Sequence, residues 1–172
     1  LRARFPQLVL LLAPRHPERV PEIERLVAER GLTSVRRSGL PGARDKSAVI
    51  ILDTVGELAQ LYRVATVVFV GGSLVPTGGH NMLEPALLRK AILFGPHTGN
   101  FRESADVLLA AGGAVLVRDG AELERLVAQL LGDLEMRQRM GEAAFHAVVS
   151  RQGAVKHTLE IVERFLMEPA HG

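Results

Sequence analysis

Short, continuous apolar runs alternate with amphipathic stretches along the chain. The continuous apolar run Gln7–Ala13 predicts a strand that is buried on both faces. Three further apolar runs predict strands: Ala48–Leu52, Thr66–Val70 and Ala91–Phe94. Two shorter runs predict further strands: Thr33–Arg37 and Ala114–Val117. Apolar residues at helical spacing predict helices at Glu18–Arg30, Glu57–Arg63, Leu83–Lys90, Phe101–Ala111, Ala121–Leu131 and about 133–150 and 154–167, the last two separated near Gly153. This alternation predicts an α/β fold with a Rossmann-like parallel sheet and helices on both faces.

Polar loops rich in glycine and proline follow four of the predicted strands. Ligands of open parallel sheets bind beyond the carboxyl ends of the strands, so we expect these loops to share one rim and to form a site. They are Pro14–Pro17, Asp53–Glu57, Gly71–Glu84 and Gly95–Asn100. No interior stretch has the composition of a linker, so residues 1–172 are predicted to form a single domain.

The composition of the chain argues against several classes of protein. The 21 Lys and Arg residues nearly balance the 19 Asp and Glu residues, which does not support a nucleic-acid surface. The absence of Cys excludes disulfides and thiolate chemistry. No apolar run reaches the roughly 18 residues of a spanning helix, so we expect a soluble chain. It begins with Leu1, and we expect it to be a piece of a longer protein.

Two glycine pairs, Gly71-Gly72 and Gly78-Gly79, lie within the third loop. Glycine permits positive φ and lets a ligand approach the main chain closely, and exposed amides favour an anion. The spacing matches neither a Walker loop nor a G-x-G-x-x-G fingerprint, which argues against an ATPase or an NAD enzyme. Tight turns without any ligand explain the pairs equally well.

The segment His80-Asn-Met-Leu-Glu84 permits three interpretations. His80 and Glu84 would share a helix face and hold a metal, but no third ligand is nearby. Asn81 and Glu84 match a capping box. A carboxylate at a helix start beside a cleft would accept hydrogen bonds from ribose hydroxyls, and we favour this role for Glu84. Pro85 leaves the register of the helix open.

Arg15 and His16 lie between two prolines that restrict the backbone. An arginine held in this way suits a phosphate or a carboxylate, and a solvated surface turn is an equally good explanation.

The second loop, Asp53–Glu57, has the composition of a helix start. Asp53 or Thr54 would cap the helix, and the N–H groups of Val55 and Gly56 would meet a base or a phosphate. The sequence contains no convincing catalytic triad and no carboxylate pair with an acid/base pattern. The residues therefore predict a nucleotide binder that is not a complete catalyst.

Five motifs in order along the chain resemble the C-terminal half of 3-deoxy-D-manno-octulosonate (Kdo) transferases, lipopolysaccharide-core glycosyltransferases of the GT-B fold. They are Ala13-Pro-Arg-His-Pro17, Asp53-Thr-Val-Gly-Glu-Leu58, Phe69-Val-Gly-Gly-Ser-Leu-Val75, Gly78-Gly-His-Asn-Met-Leu-Glu-Pro85, and Phe94-Gly-Pro-His-Thr98 with Asn100-Phe101. The similarity covers nearly the whole chain. Met82 stands where many members have Pro.

The resemblance implies an inverting transfer of Kdo from CMP-Kdo to a lipid A precursor, without metal or other cofactor, at the cytoplasmic face of the bacterial inner membrane. The general base and the acceptor surface would belong to the missing N-terminal half, so the chain alone would be inactive. Arg15 and His16 would contact the phosphate or base, and Glu84 the ribose hydroxyls. The remaining expected donor contacts are backbone at Thr54, Val55 and Gly56 with the cytidine, and Ser73, Gly78, Gly79, His80 and Asn81 around the phosphate and sugar.

Three alternatives stay open. The chain would be part of a transferase or epimerase that uses a UDP-sugar, a stand-alone nucleotide-binding or interaction module, or a purely structural α/β domain.

Overall fold

The computed structural model describes residues 1–40 and 48–167, with side chains described as far as Arg151. These residues form two compact units, Leu1–Leu61 (the first unit) and Tyr62–Gly172 (the second unit). Each unit contains a three-stranded sheet whose neighbouring strands are all parallel. The predicted parallel α/β class is confirmed, and its six strands pair as two sheets of three. That residues 1–172 form one domain stays a prediction. The glycines, proline and charges of Ser38–Lys46 also predict a loop, and residues 41–46 of it lie outside the described part.

The first unit contains strands β1 (Leu10–Leu12), β2 (Ser34–Arg36) and β3 (Val49–Ile51), with β3 in the centre. Helix α1 (Val20–Ala28) is amphipathic and buries its apolar face against β3. Because β1 is an edge strand, Leu10 keeps 49% of its surface exposed. The prediction that this apolar run is buried on both faces is therefore wrong.

The second unit is built around β5 (Ala91–Phe94), which lies between β4 (Val67–Val70) and β6 (Ala114–Leu116). The other helices are α2 (Leu58–Val64), α3 (Leu83–Leu87), α4 (Arg102–Ala110), α5 (Gly120–Gly132) and α6 (Leu134–Met167).

Successive side chains of β5 point to opposite faces of its sheet. Ile92 and Phe94 pack with residues of α3, α4 and α6, whereas Ala91 and Leu93 pack with α5 and with Met140 of α6. In this unit, apolar residues of helices therefore cover both faces of the sheet, as the sequence predicts.

Helix α6 runs without interruption through Gly153, so the predicted break there is wrong. A glycine inside a helix costs about 1 kcal/mol relative to alanine, which weakens a helix without ending it. None of the helices in residues 1–40 and 48–167 combines the length and the hydropathy needed to cross a bilayer.

The segment after α3 is anchored to α6 through Arg89. This residue has a φ of 54°, its guanidinium lies 3.7 Å from the centre of the Phe145 ring, and its Nε lies 3.0 Å from the carboxylate of Glu142. The cation–π contact and the ion pair hold the end of α3 against α6. This fixes the helix whose first turn carries Glu84.

Candidate functional site

The loop between β4 and α3 is shaped by three glycines with positive φ. Gly72, Gly78 and Gly79 have φ values of 72°, 95° and 64°. The loop closes on itself, because the Gly79 N–H and the Thr77 hydroxyl both donate to the Gly72 carbonyl, at 3.3 and 2.8 Å. Side chains rarely adopt this conformation, so the loop depends on glycine at these positions.

Ser73 ties this loop to the one that follows β5. It has no exposed surface, and its hydroxyl donates to the Val70 carbonyl at 2.5 Å while it accepts from the Gly95 N–H at 2.7 Å. Its own carbonyl accepts from the His97 N–H at 2.9 Å. The Ser73 side chain therefore joins two loops. It is inaccessible to a ligand because it is buried, and its hydroxyl is already both donor and acceptor within the protein.

Replacing Ser73 with Ala is expected to lower the free energy of unfolding by about 1–3 kcal/mol, because the buried Gly95 N–H loses its acceptor. Thermal or urea unfolding of the chain measures this. The control is Thr77→Ala, which removes an exposed hydrogen bond and should cost clearly less. If Ser73→Ala were as stable as the parent, the hydrogen bonds of Ser73 would not hold the two loops together.

The two loops approach each other backbone to backbone. A Cβ on Gly99 would lie 2.7 Å from the Gly78 carbonyl oxygen, and one on Gly79 would lie 3.1 Å from the His97 carbonyl oxygen. Gly95 has no room either, since its Cβ would lie 2.5 Å from the Ser73 carbonyl carbon. The sequence predicts Gly95–Asn100 as a site loop but does not single out Gly95 or Gly99. Two glycines after a buried strand were visible in the sequence, but a sequence does not reveal which backbone atoms they approach.

Helix α3 begins at Leu83 after the N-cap Met82, which places Glu84 in the first turn and the buried Pro85 third. The Asn81 side chain caps this helix by accepting from the Leu83 N–H at 2.9 Å. Its amide nitrogen donates to Oε1 of Glu84 at 3.2 Å. The predicted capping box is only half right, because Glu84 bonds to the Asn81 side chain where a capping box would use the backbone N–H.

Glu84 is exposed, and Tyr62 lies within range of its charge. Burial raises the pKa of Tyr62, and the negative charge of Glu84 raises it further. The phenol is therefore neutral at physiological pH. A neutral hydroxyl beside the carboxylate avoids the repulsion that a second anion would bring.

The His80 ring lies over Gly72, where a Cβ would be 3.6 Å from Nε2. Within residues 1–40 and 48–151, no group of three or more His, Asp or Glu side chains is arranged to hold a metal ion. Gly78, Gly79 and His80 thus lie in this loop, and Glu84 lies in the first turn of the helix that follows it. The predicted Ser73 lies in the same loop with its side chain buried.

In the first unit, Arg15 and His16 follow β1 and are exposed. The imidazole Nδ1 of His16 lies 3.2 Å from Oε1 of Glu18, and both side chains are more than half exposed. Such an exposed contact contributes little to stability. Both residues are exposed on the loop after β1 and are therefore accessible to a ligand.

Asp53 accepts hydrogen bonds from the Ser38 N–H at 2.9 Å and the Ser38 hydroxyl at 2.5 Å. The prediction that Asp53 or Thr54 caps the following helix is wrong, because α2 begins only at Leu58 and the two side chains bond to Ser38 and Glu57. The two bonds from Ser38, the side-chain bond first, lower the pKa of Asp53.

The neighbouring loop residues are held by Glu57. The Thr54 hydroxyl donates to one oxygen of Glu57, and Arg37 binds the other at 2.9 Å. Val55 at the tip is 88% exposed and Gly56 has a φ of 89°. The backbone at these two positions is open to a ligand, while the Thr54 hydroxyl is engaged within the protein. The four predicted loops thus occur as two pairs, one pair in each unit, and their union into one rim stays a prediction.

The lowered pKa of Asp53 predicts a pH dependence. A group whose pKa is lower in the folded state stabilises that state above its unfolded value, about 3.9 for Asp, and loses this effect as the pH falls through the folded value. We expect Asp53→Asn to lose less stability than the parent between pH 7 and pH 3. Thermal unfolding at both pH values tests this, with Ser38→Ala as a second way to remove the bonds. Identical pH dependence in parent and variants would contradict it.

Comparison with known proteins defines the family. No protein-family model matches the chain. It is 38% identical over 167 residues to the 3-deoxy-D-manno-octulosonic acid transferase of Haemophilus influenzae and 36% identical over 166 residues to that of Bordetella pertussis. Both matches cover 96% of this chain, which spans 39% of the length of each relative.

The fold is similar to a crystal structure described as the C-terminal CMP-Kdo binding domain of WaaA from Acinetobacter baumannii. The TM-score is 0.77 at 31% sequence identity, and the match covers 82% of this chain and 74% of that one. This confirms the expected Rossmann-like, C-terminal half of a GT-B fold. The chain therefore belongs to the 3-deoxy-D-manno-octulosonic acid transferase family and corresponds to the C-terminal part of these proteins.

Proposed function

We propose that this chain is the donor-binding part of a glycosyltransferase that moves Kdo from CMP-Kdo to a lipid A precursor in lipopolysaccharide biosynthesis. The observation that carries the proposal is the close backbone contact between the loop of Gly78 and Gly79 and the loop after β5. The helix that follows the first of these loops presents the exposed carboxylate of Glu84 in its first turn. The similar domain from A. baumannii, described as binding CMP-Kdo, supports the donor class.

Each part of the second unit's loop has a distinct task in this proposal. Gly78 and Gly79 have no side chains to block the main chain, so a phosphate can approach their amides closely. His80 lies beside Gly72 and serves the phosphate or the Kdo carboxylate. Glu84 accepts hydrogen bonds from the ribose hydroxyls. Ser73 acts indirectly, by fixing the two loops to each other.

The first unit contributes the predicted contacts to the nucleotide. Arg15 and His16 would serve the phosphate or the base, and both are accessible. The exposed backbone at Val55 and Gly56 would meet the cytidine. The Thr54 contribution comes from its backbone, because its hydroxyl is bonded to Glu57.

The remaining parts of the reaction belong to the rest of the full-length protein. The general base and the acceptor surface are proposed to lie in its N-terminal half, so the isolated chain would hold the donor without transferring Kdo. The full-length protein is proposed to work at the cytoplasmic face of the bacterial inner membrane, where its lipid acceptor is found.

Isothermal titration of the chain with CMP, and separately with UDP, tests the proposal. We expect CMP to bind with a dissociation constant of roughly 0.1–1 mM, about −5 kcal/mol, and UDP to bind at least tenfold more weakly. Tighter binding of UDP would indicate a transferase or epimerase for UDP-sugars. Absence of binding by either nucleotide, with the chain folded, would contradict donor binding by this part alone.

A further inference from the structure

The side-chain amide of Asn81 makes two hydrogen bonds, one as acceptor and one as donor. The oxygen accepts from the Leu83 N–H at 2.9 Å, and the nitrogen donates to Oε1 of Glu84 at 3.2 Å. Only one orientation of the amide satisfies both neighbours, since a backbone N–H cannot accept and a carboxylate cannot donate. The start of α3 therefore fixes the direction in which Asn81 presents its donor.

That donor holds one oxygen of an exposed carboxylate. Oε2 of Glu84 has no hydrogen-bond partner in the part of the chain that the structure describes, and Oε1 can still accept further bonds besides that of Asn81. An unrestrained glutamate on a helix surface loses side-chain entropy when a ligand immobilises it. A glutamate already held by Asn81 loses less of that entropy on binding.

The surroundings keep the second oxygen of the carboxylate available. Tyr62 lies within range of the charge of Glu84 and is neutral at physiological pH, because its burial and that charge both raise its pKa. Among the described residues, no Lys or Arg side chain forms an ion pair with Glu84 that would compete with a neutral ligand hydroxyl. The carboxylate thus suits the two neighbouring hydroxyl donors of a ribose.

We propose that Asn81 is a positioning residue that presets the Glu84 carboxylate to accept the vicinal hydroxyls of a ribose, and so makes the site select ribonucleotides over deoxyribonucleotides. This inference rests on the proposed binding of a cytidine nucleotide. In this inference Asn81 acts through Glu84, and the direct contact with the phosphate and sugar that the family resemblance implies is not required, because both ends of its amide are engaged within the protein.

Two substitutions separate positioning from capping. Asn81→Ser and Asn81→Asp both keep an oxygen that can accept from the Leu83 N–H, and both residues are favoured at helix starts. The serine hydroxyl ends one bond short of the amide nitrogen that reaches Glu84, and the aspartate has no hydrogen to donate and repels Glu84. We therefore expect both variants to unfold at nearly the parent temperature.

The readout is the ratio of the affinities for CMP and 2′-deoxy-CMP, measured by calorimetry on the 172-residue chain. Both ligands carry the same charge, so the added charge of Asn81→Asp affects both alike and leaves the ratio to report on the ribose. The parent should prefer CMP by roughly tenfold or more, the value of a hydrogen bond to a charged group. Both variants should reduce this preference to about twofold, mainly through weaker CMP binding.

A merely structural role of Asn81 would change stability and leave the ratio intact. If the parent prefers CMP and both variants keep that preference, the inference is overturned while the proposed function stands. If the parent binds CMP and 2′-deoxy-CMP equally well, Glu84 does not read the ribose and the inference is again overturned. If the parent binds neither nucleotide, the proposed function itself fails and the inference fails with it.

Discussion

Gly95→Ala is expected to destabilise the chain by about 3 kcal/mol, the upper part of the range for forcing extra atoms into a packed interior. The new Cβ would lie 2.5 Å from the Ser73 carbonyl carbon and 2.7 Å from the Leu74 nitrogen. Both are backbone atoms, so no side-chain rotation relieves the overlap. The loop would have to move, and the bond from the Gly95 N–H to the Ser73 hydroxyl would be lost.

Thermal unfolding measures this effect, and for a chain of this size 3 kcal/mol corresponds to a shift of roughly 6–12 °C. Gly71→Ala is the matched control in the neighbouring loop, because Gly71 has ordinary φ and no atom within 4 Å of its would-be Cβ. It should change the unfolding temperature little. If Gly95→Ala were as stable as Gly71→Ala, the two loops would not be packed as described.

Glu84→Ala is expected to weaken CMP binding by about 10–100-fold, since hydrogen bonds to a charged group contribute roughly 1.5–3 kcal/mol. Folding should be largely intact, because Glu84 is exposed and an acid in the first helical turn contributes only about 0.3–1 kcal/mol. Calorimetric titration with CMP and thermal unfolding of the same sample give both quantities.

The matched control is Glu135→Ala, which removes an exposed acid from the first turn of α6 and should leave CMP binding unchanged. The opposite pattern for Glu84→Ala would be a large loss of thermal stability with normal CMP affinity. That result would mean that Glu84 serves the helix and not the ligand.

The apolar runs predict the centre of the second unit well. The observed bounds of β5, Ala91–Phe94, coincide with the predicted ones, because Lys90 and Gly95 end a run that is buried on both faces. Burial on both faces demands apolar side chains at every position, and such a demand is visible in one sequence. The helices α4 and α5 are likewise predicted to within a residue at each end.

Edge positions and helix interruptions are less visible in a sequence. The run at Leu10–Leu12 is as apolar as β5, yet it forms an edge strand in the first unit, because strand order depends on pairing between distant segments. Gly153 is a weak helix former inside an otherwise helical stretch, and a weak former alone does not end a helix.

The sequence predicts which loops form the candidate site, but it does not predict what each residue in those loops does. Glycines after buried strands indicate where the backbone turns. They do not reveal that Gly99 lies against Gly78, or that the Ser73 hydroxyl is buried between two loops. Those facts depend on contacts between loops that are 22 residues apart in the chain. The sequence also does not decide which of Asn81 and Glu84 caps the helix and which contacts the ligand, since both residue types suit both roles.

The central claim is that the loop of the second unit holds the cytidine nucleotide, and amide NMR of the ¹⁵N-labelled chain tests it most directly. Addition of CMP should shift the amides of Gly78, Gly79, His80 and Glu84 along one saturable curve. Gly112, in the turn before β6 with nothing near its would-be Cβ, should not move. If CMP at several times the dissociation constant found by calorimetry leaves these four amides unchanged, the claim is contradicted.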